Sequence, residues 1–395
     1  MKSISYIFGL FCTVSLAVAL SLGCSEAKAA SSTFQLQDNR IIIQVMINGQ
    51  GPFFMMFDTG ASNILSDDVA SALQLKRYGH IPIEGGGENA VSASYCEVQN
   101  LEVSNQTMQN NRFICMDLHD MQNAIGFPRL DGLIGYEVFS QFLTEINFDK
   151  MQISLKSFSS RKNSNGQIVP LGFYGTMPTI DAVLDGIPGR FWLDTGDRAS
   201  ATLSLPFIQN FSLRQKYNPT FSTMTGYGIG GPLMTSMVFA NEFEFGGLTF
   251  TNTLIRLPTS YSRGLNDPNS AGTIGTGLLR QFNIVFDYSR HEMILSKNAV
   301  FVQDRSFDRA GMWISEASNG FQVRDVVEGG PAWNAGVRTN QVILAINDVD
   351  AKTIDLLNLR EQIKDRRAKK ITVLVQDGSG TAKLTLILQD LITTP

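Results

Sequence analysis

The sequence predicts a mainly β protein: two similar β-barrel lobes in tandem, followed by a small α+β domain. Three observations carry this reading. The chain contains an internal repeat whose copies each open on a β-hairpin signal. Glycine is frequent, at 35 of 395 residues, as a chain with many tight turns requires. Beyond residue 304 the hydrophobic pattern changes to short strands around one helical stretch.

At 395 residues the chain is too long for one ordinary domain. A composition of 43% hydrophobic and 17% charged residues fits a globular protein, and a net charge of -4 without long Lys/Arg runs excludes a basic nucleic-acid surface. The N-terminus has Lys2, an apolar run from Ile4 to Leu22, then small and polar residues, which reads as a secretory signal over residues 1–30. Two cleavage readings stand, with an uncleaved anchor as a third reading. Ala27-Lys28-Ala29 has the small-x-small form of an ordinary signal-peptidase site, and Gly23-Cys24 after the apolar run has the form of a lipoprotein site, with Ser21 where an aliphatic residue is usual. Both imply export to a periplasm or cell envelope; the second adds membrane attachment through a lipidated Cys24.

The first repeat, a lobe over 33–155, opens with Ile41–Gly49, turns at Asn48-Gly49 and returns through Phe53–Phe57 to Asp58-Thr59-Gly60. The second, over 168–300, runs Ile180–Leu184, turns at Asp185-Gly186 and returns through Phe191–Leu193 to Asp194-Thr195-Gly196. Asn-Gly and Asp-Gly between β-rich runs are hairpin signals, so each Asp-Thr-Gly ends a hairpin's second strand. Each copy then holds a glycine cluster, Gly85-Gly86-Gly87 and Gly226-Tyr227-Gly228-Ile229-Gly230-Gly231, and closes on Leu133-Ile134-Gly135 or Thr273-Ile274-Gly275. The polar stretch 156–167 is the linker. Cys96 and Cys115 flank a hairpin read as turning around Ser104-Asn105-Gln106-Thr107, which places them opposite one another; a disulfide and two buried free thiols are both compatible with that placement.

Two carboxylates at equivalent places of a duplicated unit, each after an apolar strand end, can share one site. They cannot both ionise cheaply there, so one proton is held between them, one carboxylate serves as base on a water and the other hydrogen-bonds a substrate carbonyl. Asp58 and Asp194 are the catalytic candidates. Thr59 and Thr195 supply hydroxyls that anchor the turn from the opposite lobe, and Gly60 and Gly196 permit a tight backbone under the carboxylates. Asp197 adds a third carboxylate, which would raise the pair's pKa values unless Arg198 neutralises it. Other chemistries have weaker support: Gly226-x-Gly228-x-x-Gly231 precedes β-rich sequence instead of opening a helix, three histidines without HExxH or paired CxxC make no zinc site, and no GxSxG is present.

Through these residues the chain resembles the retropepsin-like and pepsin-like aspartic peptidases. Asp58-Thr59-Gly60-Ala61-Ser62 is similar to the retroviral form of the motif, and Leu133-Ile134-Gly135 and Thr273-Ile274-Gly275 resemble the hydrophobic-hydrophobic-Gly element that supports each catalytic loop. Where that family has Ala, Ser or Thr after the second triplet, Asp197 stands here. The resemblance implies two fused retropepsin-like acid-protease lobes, a polypeptide substrate, and flap hairpins at Gly85, Gly86 and Gly87 and at Tyr227 and Gly228.

The last unit, 304–392, has strands around 321–327 and 341–346, a helical pattern over 354–367 and terminal strands over 371–375 and 382–388. Gly330-Pro331-Ala332-Trp333-Asn334-Ala335-Gly336-Val337 followed by Val342–Asn347 resembles bacterial PDZ domains. That resemblance implies capture of a peptide C-terminus by β-augmentation, with Gly320, Phe321, Gln322 and Val323 as the candidate carboxylate loop; a packing role against the lobes is the other reading. The sequence thus points to a monomeric endopeptidase without metal or cofactor. A catalytically inactive peptide-binding scaffold, and a dimer using two copies of Asp58, are the alternatives.

Overall fold

The computed structural model describes residues 31–104, 106–161, 166–259, 263–301, 303 and 305–392. The signal segment, Cys24 and Asn105 lie outside these residues.

Each lobe is an eight-stranded sheet closed on itself, and the two have the same strand order. In lobe 1 the order is Gln35–Gln37, Arg40–Ile47, Gln50–Phe57, Gly132–Ile134, Ile64–Ser66, Gln106–Met116, Val91–Val103, Arg77–Ile83, with Arg40–Ile47 also pairing Val91–Val103. Lobe 2 repeats it with Gly172–Tyr174, Met177–Leu184, Ile187–Asp194, Gly272–Gly275, Ala201–Leu203, Leu248–Pro258, Gly231–Phe245, Thr223–Gly228, closed by Met177–Leu184 on Gly231–Phe245. The opening hairpins turn where the sequence indicates. Asn48 and Gly49 have φ of 51° and 74°, and Asp185 and Gly186 have 46° and 82°, the left-handed pair that two-residue hairpins need.

Side-chain alternation along the strands aims the site. In lobe 1, Ile41, Ile43, Met55 and Phe57 enter the barrel core, while Ile42 and Met56 belong to a second apolar cluster on the opposite face. Because Phe57 points into the core, Asp58 follows on the other face. Phe191 and Leu193 do the same in lobe 2 and deliver Asp194.

A third sheet joins the lobes, and nothing in the linear pattern announces it. Its order is Ser31–Thr33, Gln152–Lys156, Leu143–Asn147, Phe282–Asp287, Glu292–Lys297, Gln167–Pro170, three strands from each lobe. At its centre Thr144 pairs Phe286 and Ile146 pairs Ile284. The stretch read as a linker, 156–167, is therefore held at both ends by strands of this sheet, and Ser31–Thr33 adds a strand before residue 33. Phe139 ties the sheet to the site: it stacks on Phe57 at 4.5 Å and meets Phe286 edge-on at 5.6 Å.

Two local expectations are revised. The hairpin carrying Cys96 and Cys115 turns one residue earlier than the sequence suggests, with Val103 paired to Gln106; Cys96 faces Phe113 and Cys115 faces Ser94. The cysteines are diagonal neighbours, still close enough to form a disulfide, with Cα atoms 6.3 Å apart. In the last domain the helix is Leu356–Lys364, shorter than 354–367, because Asp355 caps it by accepting from Asn358 N at 2.8 Å and Asp365 is extended. That domain also contains a strand the sequence reading missed, Met312–Ala317, at the edge of its sheet.

Replacing both cysteines with serine (Cys96→Ser, Cys115→Ser) opens a cross-link between residues 19 apart. The expected loss is about 2–3 kcal/mol of stability, read by chemical denaturation; an unchanged midpoint would contradict a structural role for the bond.

Candidate active site

The Asp-Thr-Gly loops of the two lobes meet through four crossed hydrogen bonds. Thr59 N donates to Thr195 Oγ1 at 3.0 Å, and Thr195 N donates to Thr59 Oγ1 at 3.0 Å. Each hydroxyl then donates across the junction, Thr59 Oγ1 to Leu193 O and Thr195 Oγ1 to Phe57 O, both at 2.8 Å. Both threonines are 1% exposed, so neither side chain can exchange these partners for solvent.

Above that network the carboxylates are brought together. Asp58 Oδ1 accepts from Gly60 N at 2.7 Å; Asp194 Oδ1 accepts from Gly196 N and Asp197 N, both at 2.9 Å. The glycines are there for space. A Cβ at Gly60 would stand 2.9 Å from Asp194 Cγ, and one at Gly196 would stand 2.3 Å from Asp58 Oδ2. The hydrophobic-hydrophobic-Gly segments lie beneath: Gly132–Ile134 runs parallel to Gln50–Phe57, Gly272–Gly275 parallel to Ile187–Asp194, and Asp58 N donates to Ile134 O at 2.9 Å. A Cβ on Gly135 would strike Ala61 O at 2.0 Å and one on Gly275 Ala199 O at 2.4 Å, which explains a glycine ending each segment.

Burial pushes both acids above the ordinary aspartate range, and they hydrogen-bond each other. Asp194 is raised well above it, by burial first and then by the charges of Asp58 and Asp197; the N–H groups of Gly60 and Gly196 hold Asp58 lower. Such a pair shares one proton, Asp194 being its better holder and Asp58 the better base.

Asp197 is neutralised by a residue other than Arg198. Arg256 Nη1 donates to Asp197 Oδ1 at 2.9 Å, and Ala199 N, Thr202 Oγ1 and Thr273 Oγ1 complete the carboxylate's shell. These partners outweigh burial and hold Asp197 below its usual range. Arg198 turns away: it pairs with Asp38, donates to Thr225 O at 3.2 Å and lies over the Trp313 ring. Sequence reasoning missed Arg256. Its signal was a lone arginine inside the apolar run Leu254-Ile255-Arg256-Leu257.

The dyad floors a cleft of about 540 Å³ that Gly85, Gly86, Tyr227 and Gly228 also line. Tyr227 and Gly228 end the hairpin Thr223–Gly228/Gly231–Phe245, while Gly85 to Gly87 sit in the connection after Arg77–Ile83. The two tips touch. Gly87 N donates to Ile229 O at 2.9 Å and Asn89 N to Gly230 O at 3.0 Å, closing a roof across the cleft.

Residues 43–138 match the family model described as aspartyl protease. Residues 322–377 match a PDZ domain. The chain carries both domains. No curated protein matches the chain. The aspartyl protease match spans lobe 1 through its hydrophobic-hydrophobic-Gly segment; lobe 2 is tied to it by identical strand order and the crossed threonines.

In the PDZ domain the candidate carboxylate loop is corrected. Strand Gly320–Val326 lies between Met312–Ala317 and Val342–Ile346, and Phe321 and Val323 are 0% exposed, so no peptide can add beside Gly320, Phe321, Gln322 and Val323. The open edge is Met312–Ala317, which pairs no second strand among the described residues. The N–H groups at its entry already hold a carboxylate, since Asp308 Oδ1 accepts from Gly311 N at 2.6 Å and Met312 N at 3.3 Å. The groove beside it faces the two lobes: Arg360 donates to Ala124 O, Ile125 O and Ile314 O, each at 2.8 Å, joining lobe 1 to the PDZ edge.

Gly196→Ala is expected to leave the fold intact and lower turnover by at least about a hundredfold, because a Cβ 2.3 Å from Asp58 Oδ2 forces that carboxylate aside by about 1 Å; circular dichroism and a peptidase assay read the two quantities. Undiminished turnover would show that the close approach of the two loops is dispensable.

Proposed function

We propose that the chain is an exported aspartic endopeptidase whose Asp58/Asp194 dyad hydrolyses peptide bonds with an activated water. The observation that carries this reading is the closed set of crossed threonine bonds, which puts two carboxylates of raised pKa on the floor of one roofed cleft. In the working form one proton is present. Asp58 takes a proton from water as its oxygen attacks the scissile carbonyl carbon, and the proton on Asp194 passes to the carbonyl oxygen. The resulting gem-diol collapses as the proton on Asp58 moves to the amine that leaves; the gem-diol returns a proton to Asp194. Both acids come from one chain, which supports a monomeric enzyme.

Substrate entry on this reading breaks the two backbone bonds between the flap tips, and closure excludes water again. The PDZ domain braces one flap at its root: Asp325 accepts from Thr223 Oγ1 at 2.5 Å and from Met224 N at 2.7 Å. With its own edge turned toward the lobes, this module acts on the peptidase more directly than on a free ligand. The signal-like N-terminus and a disulfide, which persists in oxidising compartments, support export. Envelope attachment through Cys24 belongs to the same proposal.

Asp58→Asn and Asp194→Asn should each abolish cleavage of an unfolded protein substrate. Wild-type activity should be bell-shaped in pH, falling on the acid side as Asp58 protonates and on the alkaline side as the raised Asp194 loses the shared proton; retained activity in Asp194→Asn would favour a dimer built on Asp58 alone. The same variant should be more stable than wild type at neutral pH. A carboxyl with its folded pKa raised adds stability below its unfolded pKa and loses it as pH rises through the folded value, so the advantage of Asp194→Asn should vanish in acid. Asp325→Ala should speed amide exchange across 223–228 and raise KM more than it lowers kcat; unchanged exchange would refute the brace.

A further inference from the structure

The two halves of the cleft are related by the repeat, so their side walls can be compared residue by residue. In lobe 1 the register sets Met56 beside Leu133, Leu133 beside Ile64 and Ile64 beside Ile114. The same register in lobe 2 sets Trp192 beside Thr273, Thr273 beside Thr202 and Thr202 beside Arg256. All eight side chains line the cleft. Thus Arg256 occupies the place of Ile114 and Asp197 the place of Ala61. At these matched positions lobe 1 is apolar, whereas lobe 2 carries a buried ion pair and two hydroxyls.

That polar wall is filled in a directional way. Asp197 accepts four hydrogen bonds on its two oxygens, and both threonine hydroxyls donate to it. Arg256 is 4% exposed; it gives Nη1 to Asp197 and Nη2 to Thr225 O, while its Nε is buried and has no partner among the described residues. An orphaned buried N–H of a cation is a strong demand for an acceptor. Arg40, which also lines the cleft, and Arg198 lie near Arg256, as do the carboxylates of Asp38 and Asp197.

We infer that the cleft is asymmetric in specificity: the lobe 1 wall takes an apolar side chain on one side of the scissile bond, and the lobe 2 wall, through Arg256, takes an acidic side chain on the other. This rests on the peptidase reading given above. Arg256 is a specificity-determining residue here, while Asp197 holds its guanidinium in place. A buried polar subsite discriminates strongly because a substrate lacking the acceptor leaves it unpaired.

The test uses the full mature chain and a library of unstructured peptides varied at the two positions flanking the scissile bond, with cleavage sites read by mass spectrometry. The wild type is expected to favour Asp or Glu over Leu at one position by at least about tenfold in kcat/KM, as one hydrogen bond to a charged group implies, and an apolar residue at the other. The double variant D197A/R256I installs on lobe 2 the residue types that lobe 1 carries at Ala61 and Ile114, and should bring that ratio to about one or below. Cleavage with apolar preference at both positions, or a ratio unmoved in the double variant, overturns the asymmetry while leaving the peptidase reading intact. Absence of cleavage by the wild type across acid and neutral pH overturns both. Should the double variant fail to fold, the wild-type profile decides alone.

Discussion

The structure depends on the reciprocal bonding of Thr59 and Thr195. Each hydroxyl is at once acceptor for the opposite backbone N–H and donor to a carbonyl one residue before the opposite aspartate. A hydroxyl is the smallest group able to do both, and in a fully buried junction every one of these groups would otherwise be orphaned. The bonds fix the spacing of the loops, the glycines let the carboxylates occupy the resulting gap, and the six-stranded sheet beneath holds the lobes in register.

Electrostatics around the dyad are handled by distance and by partner choice. A third carboxylate beside a proton-sharing pair would defeat it if left unpaired. Asp197 is kept charged by Arg256, Thr202, Thr273 and Ala199 N, and its remaining influence is to raise Asp194 further, in the direction that favours proton retention. Arg198 meanwhile bonds Asp38, which Arg40 and Lys364 also approach, at 3.1 and 3.6 Å. Lys364 belongs to the PDZ helix. The loop following the second Asp-Thr-Gly is thereby linked to the C-terminal domain, and Asp325 makes a second link at the flap root.

Much of this was legible in the sequence because it depended on local or repeated pattern. Asn48-Gly49 and Asp185-Gly186 announce hairpins by their φ requirements, and two Asp-Thr-Gly triplets in matching positions announce a paired site. What the sequence hid is long-range. The bridging sheet joins Leu143–Asn147 to Phe282–Asp287, segments whose alternation does not say which strand they will meet. The partner of Asp197 was misread as its chain neighbour Arg198, although Arg256 reaches it across a parallel strand pair. The PDZ edge was misplaced by one strand because Gly320-Phe321 has the glycine-apolar form expected of a carboxylate loop, and only pairing on both sides shows that Gly320–Val326 is interior.

The proposed chemistry requires Asp58 and Asp194 to hold one proton between them. Carbon-13 carboxyl titration by NMR, with the assignments made through Asp58→Asn and Asp194→Asn, tests it directly. Two separated steps are expected, the upper one well above the range of an ordinary aspartate. Two aspartates titrating together in that ordinary range would contradict it.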